Sequence, residues 1–234
     1  MTLRYIVLMS KTIKDKIRTA LRITLGVCFI LSGVMKAVNV YSFAQEIRLY
    51  MEAYMDSYFV KWTVEIAVLI CAIEIITGLF ALRKRSESIV AIIFLGMLSF
   101  FVWLTGINLF YPSLMGSIES CGCFGELIHF SPLASFVKSV VLWIMAIGGW
   151  VLVVRCWKTG DRCWVLGVSC WIKRFVSDWK TNVICLVGAL PPLYSYFCFE
   201  KMEHGYYLAG YIGLCVLGGG WCLVFIRDGL RSKD

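Results

Sequence analysis

Long apolar segments separated by short polar stretches dominate the chain. A helix that crosses a membrane needs about 20 mostly apolar residues, and six segments approach or exceed that length. The predicted spans are 23–40, 60–82, 89–110, 134–154, 183–199 and 207–226. Proline removes a helical hydrogen bond, so Pro191 and Pro192 predict a kinked or discontinuous fifth span. The pattern indicates an all-α, polytopic membrane helix bundle.

Composition favours the same class of protein. The chain has 234 residues, of which 60% are hydrophobic and 16% are charged. Soluble domains are about 45–50% apolar and about 25% charged, so we expect a lipid bilayer to contact most of the surface. The net charge of +8 is typical of basic cytoplasmic loops in membrane proteins, and we predict no nucleic-acid partner.

The Lys and Arg residues predict the orientation. Most of the 23 precede the first span, follow the sixth, or lie between spans two and three or four and five. The opposite side holds only Arg48, Lys61, Lys138 and Lys201, and Lys36 falls within a span. Because basic loops stay cytoplasmic, we expect both termini in the cytoplasm and a bacterial-type inner membrane. The first span lacks a small-residue cleavage site, so we expect it to be retained.

Four segments follow from these assignments. Residues 1–22 form a basic cytoplasmic N-terminal segment, and residues 23–155 hold four membrane helices. Residues 156–182 form a cytoplasmic connection, in which the aromatic stretch 163–175 is expected to be an interfacial helix. Residues 183–234 form a C-terminal transmembrane helix pair with a basic tail.

A pair of cysteines carries the most specific chemistry. The run Ser120-Cys121-Gly122-Cys123-Phe124-Gly125 lies between spans three and four, on the predicted outer side, where disulfides persist. Gly122 permits the tight backbone that so small a ring requires, and strained or exposed disulfides tend to be catalytic or regulatory. We predict a redox-active dithiol. A structural disulfide and a zinc site are the alternatives, but no ligand spacing supports zinc, so we predict no metal.

The other cysteines lie mostly inside apolar runs. A buried free cysteine behaves as a small hydrophobic residue, which is the interpretation we favour for Cys28, Cys71, Cys185, Cys215 and Cys222. Near the outer side, Cys198 is expected to be buried in the same way, although it could resolve a mixed disulfide. His129 follows the Cys121–Cys123 motif closely, so it is either solvated or deprotonates a thiol.

Three charged residues within the spans are candidate site residues, because such charges are costly in a membrane. Lys36 and Glu65 lie near the outer ends of spans one and two, so they could pair beneath the cysteines. The alternative for Lys36 is a side chain that reaches the headgroups. Glu74 is deeper, and we expect it to be protonated unless paired. It could relay protons, bind a quinone or bond a neighbouring helix, and Gly78 one turn away predicts a close helix approach.

Three sequence blocks together resemble the MauE/DoxX family of redox-associated membrane proteins. They are Ser32-Gly33-x-x-Lys36-Ala37, Glu74-x-x-x-Gly78-x-x-x-Leu82 and Cys121-Gly122-Cys123-Phe124-Gly125. The resemblance covers roughly residues 20–155 and implies a four-helix membrane core, with the last two spans outside it. It also implies electron transfer or disulfide formation with a thioredoxin-like extracytoplasmic partner, and MauE is linked with maturation of methylamine dehydrogenase.

The leading functional hypothesis is thiol–disulfide exchange at Cys121 and Cys123, with a quinone as the candidate electron carrier. His129 or Lys36 would assist by lowering a thiol pKa, because attack requires a thiolate. One rival is a non-enzymatic assembly subunit, in which a structural disulfide braces the loop and the charged residues hold the bundle together. Another is a small proton-coupled transporter using Glu74, which the lack of a repeat between the halves disfavours.

Overall fold

The computed structural model describes residues 2–54, 60–83, 87–111, 131–157 and 179–231, with side chains at 12–52, 60–83, 88–111, 131–153, 181–221 and 224. Within these ranges the protein consists of seven helices and has no strand. The helices are α1 (Thr2–Ala37), α2 (Val40–Tyr54), α3 (Thr63–Leu82), α4 (Glu87–Phe110), α5 (Pro132–Trp157), α6 (Trp179–Cys198) and α7 (His204–Arg231). The predicted all-α helix bundle is confirmed.

Five of these helices contain segments long and apolar enough to cross a membrane. The segments are Thr12–Ala37, Thr63–Leu82, Ser88–Phe110, Pro132–Val153 and Thr181–Cys198. Large apolar side chains on their outer surfaces are exposed, such as Leu69, Phe100 and Ile144, as expected where lipid rather than water surrounds the protein. The sixth predicted span lies within α7, which is not among the five spans found in the described residues, so that span stays a prediction.

The helices form two antiparallel pairs, and α6 and α7 pack at one side of them. The most extensive packing joins α1 to α3 and α4 to α5, while α6 packs on α3 and α7 on α6. We call the end where α4 stops at Phe110 and α5 begins at Pro132 the loop end, because the segment between them carries Cys121 and Cys123. The opposite end, which holds Arg22 and Arg83, is the basic end.

Glycines bring α1 and α3 into close contact. A Cβ atom on Gly78 would lie 2.6 Å from the backbone oxygen of Gly26, and one on Gly33 would lie 3.0 Å from the backbone oxygen of Cys71. Small residues allow such backbone approach, and close packing drives helix association in lipid. The close approach predicted at Gly78 is therefore confirmed. It fixes the register in which Lys36 on α1 faces the middle of α3.

The first helix differs from its predicted span at both ends. The first span was predicted as 23–40, but α1 starts at Thr2 and ends at Ala37. The helix ends early because α2 starts at Val40 and buries Val40, Phe43 and Ala44 against the rest of the bundle. The spacing of these apolar residues is that of one helix face, a signal that the sequence analysis missed.

The prolines of the fifth predicted span do not interrupt the helix. Helix α6 runs continuously from Trp179 to Cys198 with Pro191 and Pro192 inside it, so the span is not discontinuous, and the predicted alternative of a kink stays a prediction. Each proline lacks the N–H that would bond the carbonyl four residues earlier. Both prolines are buried, and neighbouring helices stabilise such prolines in membrane bundles.

Candidate functional site

A buried ion pair joins the first pair of helices. The Lys36 Nζ atom lies 2.5 Å from Oε1 of Glu74, and both side chains are only 1% exposed. Lys36 lies in the last turn of α1, and Glu74 lies near the middle of α3. Ionisable residues at such positions are rare in membrane helices and are functional candidates by default. Glu74 therefore has the cationic partner that its depth in the bundle requires.

The surroundings of the Lys36 ammonium favour its charged form. Its Nζ atom lies 4.8 Å from the centroid of the Phe101 ring and 5.2 Å from that of Phe43. Aromatic faces attract cations most strongly when water is excluded. The negative end of the α1 dipole acts in the same direction, because the unpaired carbonyls at a helix C-terminus attract a cation in the last turn. Two rings and a helix terminus thus complete the site around the ion pair.

The predicted pairing of Lys36 with Glu65 was wrong. Glu65 and Glu74 are nine residues apart on α3, which places them on opposite faces at about 100° per residue and about 13 Å apart along the axis. Glu65 is exposed, whereas Glu74 is buried. Burial, followed by the negative charges of Glu200, Tyr196 and Glu65, raises the pKa of the Tyr41 hydroxyl. The prediction treated the outer ends of spans one and two as level, whereas Gly33 packs on Cys71 and Glu74 and α1 stops at Ala37, short of the level of Thr63.

Three buried polar atoms near the pair lack a partner among the described residues. They are Glu74 Oε2, Asn108 Nδ2 and Ser135 Oγ. Such atoms are uncommon in folded proteins, because each loses its hydrogen bonds to water on burial. Neighbouring hydroxyls are satisfied within their own helices: Thr105 donates to the Phe101 carbonyl at 2.7 Å, and Ser139 donates to the Ser135 carbonyl at 2.9 Å.

These polar residues lie between the ion pair and the loop end. Phe101 contacts Lys36, and Asn108 lies seven residues further along α4, on the same helix face and about 10 Å nearer the loop end. On α5, Phe136 contacts Gly106, which places the adjacent Ser135 near the level of Asn108. Polar groups thus continue from Glu74 towards the ends of the helices that the cysteine segment connects.

The remaining predicted site residues fall in a different part of the chain. Cys121, Cys123 and His129 lie outside the described residues, so their predicted roles stay predictions. Within the described part, the free cysteines are Cys28, Cys71, Cys185, Cys198 and Cys215. Cys71 is buried and the other four are half-buried. The side chain of Cys222 is also outside the described part.

Lys138 is a buried cation that the sequence analysis assigned to the outer side. It lies within α5, and its Nζ atom is buried in the bundle. The signal was present in the sequence, because the predicted span 134–154 already contained this residue. Asn108, Ser135 and Ser139 were likewise not identified as site residues, because single polar residues near span ends usually face the interface.

Comparison with known proteins identifies a family. The family model described as "Methylamine utilisation protein MauE" matches residues 14–152, which is more than half of the chain. The matched segment contains α1 from residue 14 onwards, α2 to α4 and most of α5, together with all three sequence blocks of the predicted resemblance. The match concerns MauE alone, so the DoxX part of that resemblance stays a prediction. No curated protein and no solved structure matches the chain.

Proposed function

Because the chain belongs to the MauE family, we propose that this multi-pass membrane protein performs thiol–disulfide exchange through Cys121 and Cys123 with a thioredoxin-like protein. The observation that carries the proposal is the buried Lys36–Glu74 pair. It lies among helices that lead towards the cysteine segment, with further buried polar atoms between it and the loop end. Such an arrangement suits a site where protons must enter or leave a dithiol.

The exchange transfers two electrons and two protons between the proteins. A thiolate of one dithiol attacks the disulfide of the other protein, and a mixed disulfide forms. The second thiolate of the attacking protein then displaces the thiol that the mixed disulfide holds. One protein ends with a disulfide and the other with two thiols, and the relative potentials of the two pairs decide the direction.

The ion pair would serve as the proton acceptor and donor for this chemistry. Each attack needs a thiolate, so a proton must leave the attacking thiol. We assign His129 as the first acceptor, since it follows the cysteines closely in sequence. Glu74 would take up the proton within the membrane, where its Oε2 atom lacks a hydrogen-bond partner in the described part of the protein. Lys36 would hold the Glu74 carboxylate in place through the ion pair.

A membrane quinone is the electron carrier that we propose for resetting the pair. When bound, it would accept two electrons and two protons from the dithiol and become a quinol. Asn108 Nδ2 and Ser135 Oγ are hydrogen-bond donors, buried and without a partner among the described residues. They fit the carbonyl oxygens of such a ring, so we assign them to hold it near the loop end.

Trapping of the mixed disulfide tests the exchange. With only one thiol left, Cys121→Ser and Cys123→Ser cannot release an attached partner, so we expect a reductant-sensitive adduct on non-reducing gels of membranes. Cys185→Ser is the matched control, because Cys185 is a free half-buried thiol on α6 that should trap nothing. A Cys121–Cys123 bond that stays oxidised throughout growth, with no adduct in either variant, contradicts the proposal.

The orientation forms part of the same proposal. We place both termini in the cytoplasm of a bacterial-type inner membrane, because that side then carries most of the basic residues. In intact cells, we expect a membrane-impermeant maleimide to reach Cys121 and Cys123 from outside the cytoplasm after mild reduction. Labelling of these residues only after the cytoplasm is opened would reverse the assignment.

The α1–α3 contact favours a second candidate function. Gly26, Gly33 and Gly78 pack these helices closely, and the ion pair adds a specific bond between them. Such a bundle also suits a non-enzymatic subunit that supports assembly of a redox protein while its disulfide only braces the loop. In that case the ion pair is purely structural, and replacing both charges with apolar residues leaves function intact.

A further inference from the structure

Helix α7 donates two hydrogen bonds to the chain at the end of α1. The Tyr211 hydroxyl donates to the Val34 carbonyl at 2.6 Å, and the Tyr207 hydroxyl donates to the Val38 carbonyl at 2.6 Å. These two carbonyls lie two residues before and two residues after Lys36. Both tyrosines are nearly fully buried, at 1% and 2% exposure, so little water competes for these bonds.

A second set of bonds holds the start of α2. The Val40 N–H donates to Oγ of Ser195 on α6 at 3.2 Å. The Tyr41 hydroxyl donates to the Tyr196 carbonyl at 2.8 Å. The hydrogen bonds from α6 and α7 therefore surround the break between α1 and α2 from Val34 to Tyr41.

The location of this break explains why such bonds are needed. The last four carbonyls of a helix lack intrahelical partners, and an unsatisfied backbone group within a membrane costs several kcal/mol. Helix α1 ends at Ala37, about 6 Å beyond Gly33, which packs on Cys71 and Glu74 of α3, so α1 ends short of the level of Thr63. The Val38 carbonyl, just beyond the helix, accepts a hydrogen bond from the Tyr207 hydroxyl. The Val34 carbonyl accepts one from the Tyr211 hydroxyl in addition to that from the Val38 N–H at 3.1 Å.

We infer that α6 and α7, which lie outside the segment matched by the family, position Lys36 for its pairing with Glu74. Tyr207, Tyr211 and Ser195 are the positioning residues. They fix the last turn of α1 along and around its axis, and the Lys36 side chain extends from that turn. This inference deepens the proposed function and rests on it, since the ion pair is the proton acceptor there.

Carbodiimide labelling of Glu74 tests the positioning directly. A hydrophobic carbodiimide reacts with protonated carboxyl groups in the membrane, and peptide mass spectrometry locates the adduct. The purified full-length protein is labelled as wild type, Tyr211→Phe, Tyr207→Phe and the double variant. Tyr206→Phe is the matched control, because Tyr206 is on the same helix but 71% exposed. Glu65, exposed on the opposite face of α3, is an internal reference within each sample.

We expect the double variant to label at Glu74 on the order of tenfold faster than wild type, since each hydroxyl contributes one hydrogen bond. The labelling rate at Glu74 should rise severalfold in the single variants, and these variants keep the test decisive if the double variant does not fold. The Glu74 rate in Tyr206→Phe and the Glu65 rate in every sample should equal those of wild type. Wild-type rates at Glu74 in the folded tyrosine variants would overturn the inference.

Repeating the variants in a Lys36→Met chain separates positioning from general loosening. If the tyrosines act through Lys36, Glu74 already labels fast in this chain and the tyrosine substitutions add nothing. An equal further increase in that background would overturn the inference, because the tyrosines would then act independently of Lys36. Labelling of Glu74 does not require the cysteines. The tyrosine variants are therefore also labelled in a Cys121→Ser chain, where the same Glu74 rates would show that the positioning result does not depend on thiol exchange.

Discussion

The two antiparallel helix pairs of this protein differ in how their buried polar side chains are bonded. Between α1 and α3, glycines bring the backbones together and the buried charges of Lys36 and Glu74 meet each other. Between α4 and α5, aromatic side chains fill the contact, with the Phe110 and Phe136 ring centroids 5.6 Å apart. There the buried polar atoms of Asn108 and Ser135 lack partners in the part of the chain that the structure describes.

The difference indicates a division of roles. A buried ion pair seldom adds net stability over well-packed apolar residues, yet removing one of its partners is strongly destabilising. The α1–α3 contact therefore holds its charges in a fixed geometry, which suits a proton acceptor. Polar groups without partners on α4 and α5 are available to a ligand or to water, and they lie next to the segment that carries Cys121 and Cys123.

The largest effect is expected from forcing α1 and α3 apart. A Cβ on Gly33 would lie 2.7 Å from the Ile75 side chain and 3.1 Å from Glu74 Cβ, so Gly33→Leu must displace the helices and separate the ion pair. We expect a loss of about 5 kcal/mol of stability, or no folded protein, because overpacking and the broken pair add. Thermal unfolding in detergent measures the loss.

Gly96→Leu is the matched control for this substitution. A Cβ on Gly96, which lies on α4, meets nothing within 4 Å, so the variant should unfold near the wild-type temperature. Equal destabilisation by both substitutions would show that the close α1–α3 contact is not special.

The next largest loss of stability is expected at one of the two carboxylates of α3. Glu74→Ala leaves the Lys36 ammonium buried without its counter-charge, and we expect a loss of about 3–5 kcal/mol. Glu65→Ala removes an exposed carboxylate and should change stability by less than about 0.5 kcal/mol. Detergent unfolding of both variants side by side checks the contrast, and a similar loss for the two would contradict the assignment of Glu74 as the paired residue.

Substitution of Asn108 in the α4–α5 pair is expected to change stability less, but to change function clearly. Asn108→Leu replaces a buried amide whose Nδ2 lacks a partner in the described part, so stability should stay within about 0.5 kcal/mol of wild type or rise. The rate of mixed-disulfide formation should fall about tenfold, a fraction of what a positioned proton-transfer group contributes.

Thr105→Val is the control, because among the described residues the Thr105 hydroxyl bonds within its own helix, to the carbonyls of Phe101 and Val102. It lies on the same face of α4, so a general disturbance of that face would appear in both variants. An Asn108→Leu variant that reacts at the wild-type rate would remove Asn108 from the site.

The sequence predicts the membrane bundle well because long apolar runs leave few alternatives in lipid. The predictions of how deep each charged residue lies in the membrane were weaker. Hydropathy alone does not locate the end of α1, because the single polar residue Asn39 separates α1 from the apolar start of α2. Depth was counted as if the outer ends of α1 and α3 were level, which led to Glu65 rather than Glu74 as the partner of Lys36. The face of α3 could have decided the question, since Glu74 is one turn from Gly78, where the helices come closest.

The positioning by α6 and α7 was not predictable from the sequence. Tyr207 and Tyr211 are one turn apart, which is equally typical of an interfacial aromatic belt. Their partners are backbone carbonyls about 170 residues away in sequence, and only the packing of α7 against the end of α1 brings these groups together.

The most direct test of the account uses the Lys36→Met/Glu74→Leu double variant. Matching apolar residues replace a buried ion pair with little loss of stability, so we expect the protein to fold as wild type in detergent. If the pair handles protons for Cys121 and Cys123, the rate of mixed-disulfide formation with the trapped partner falls at least tenfold. A folded double variant that exchanges at the wild-type rate would contradict the account and leave the ion pair with a structural role alone.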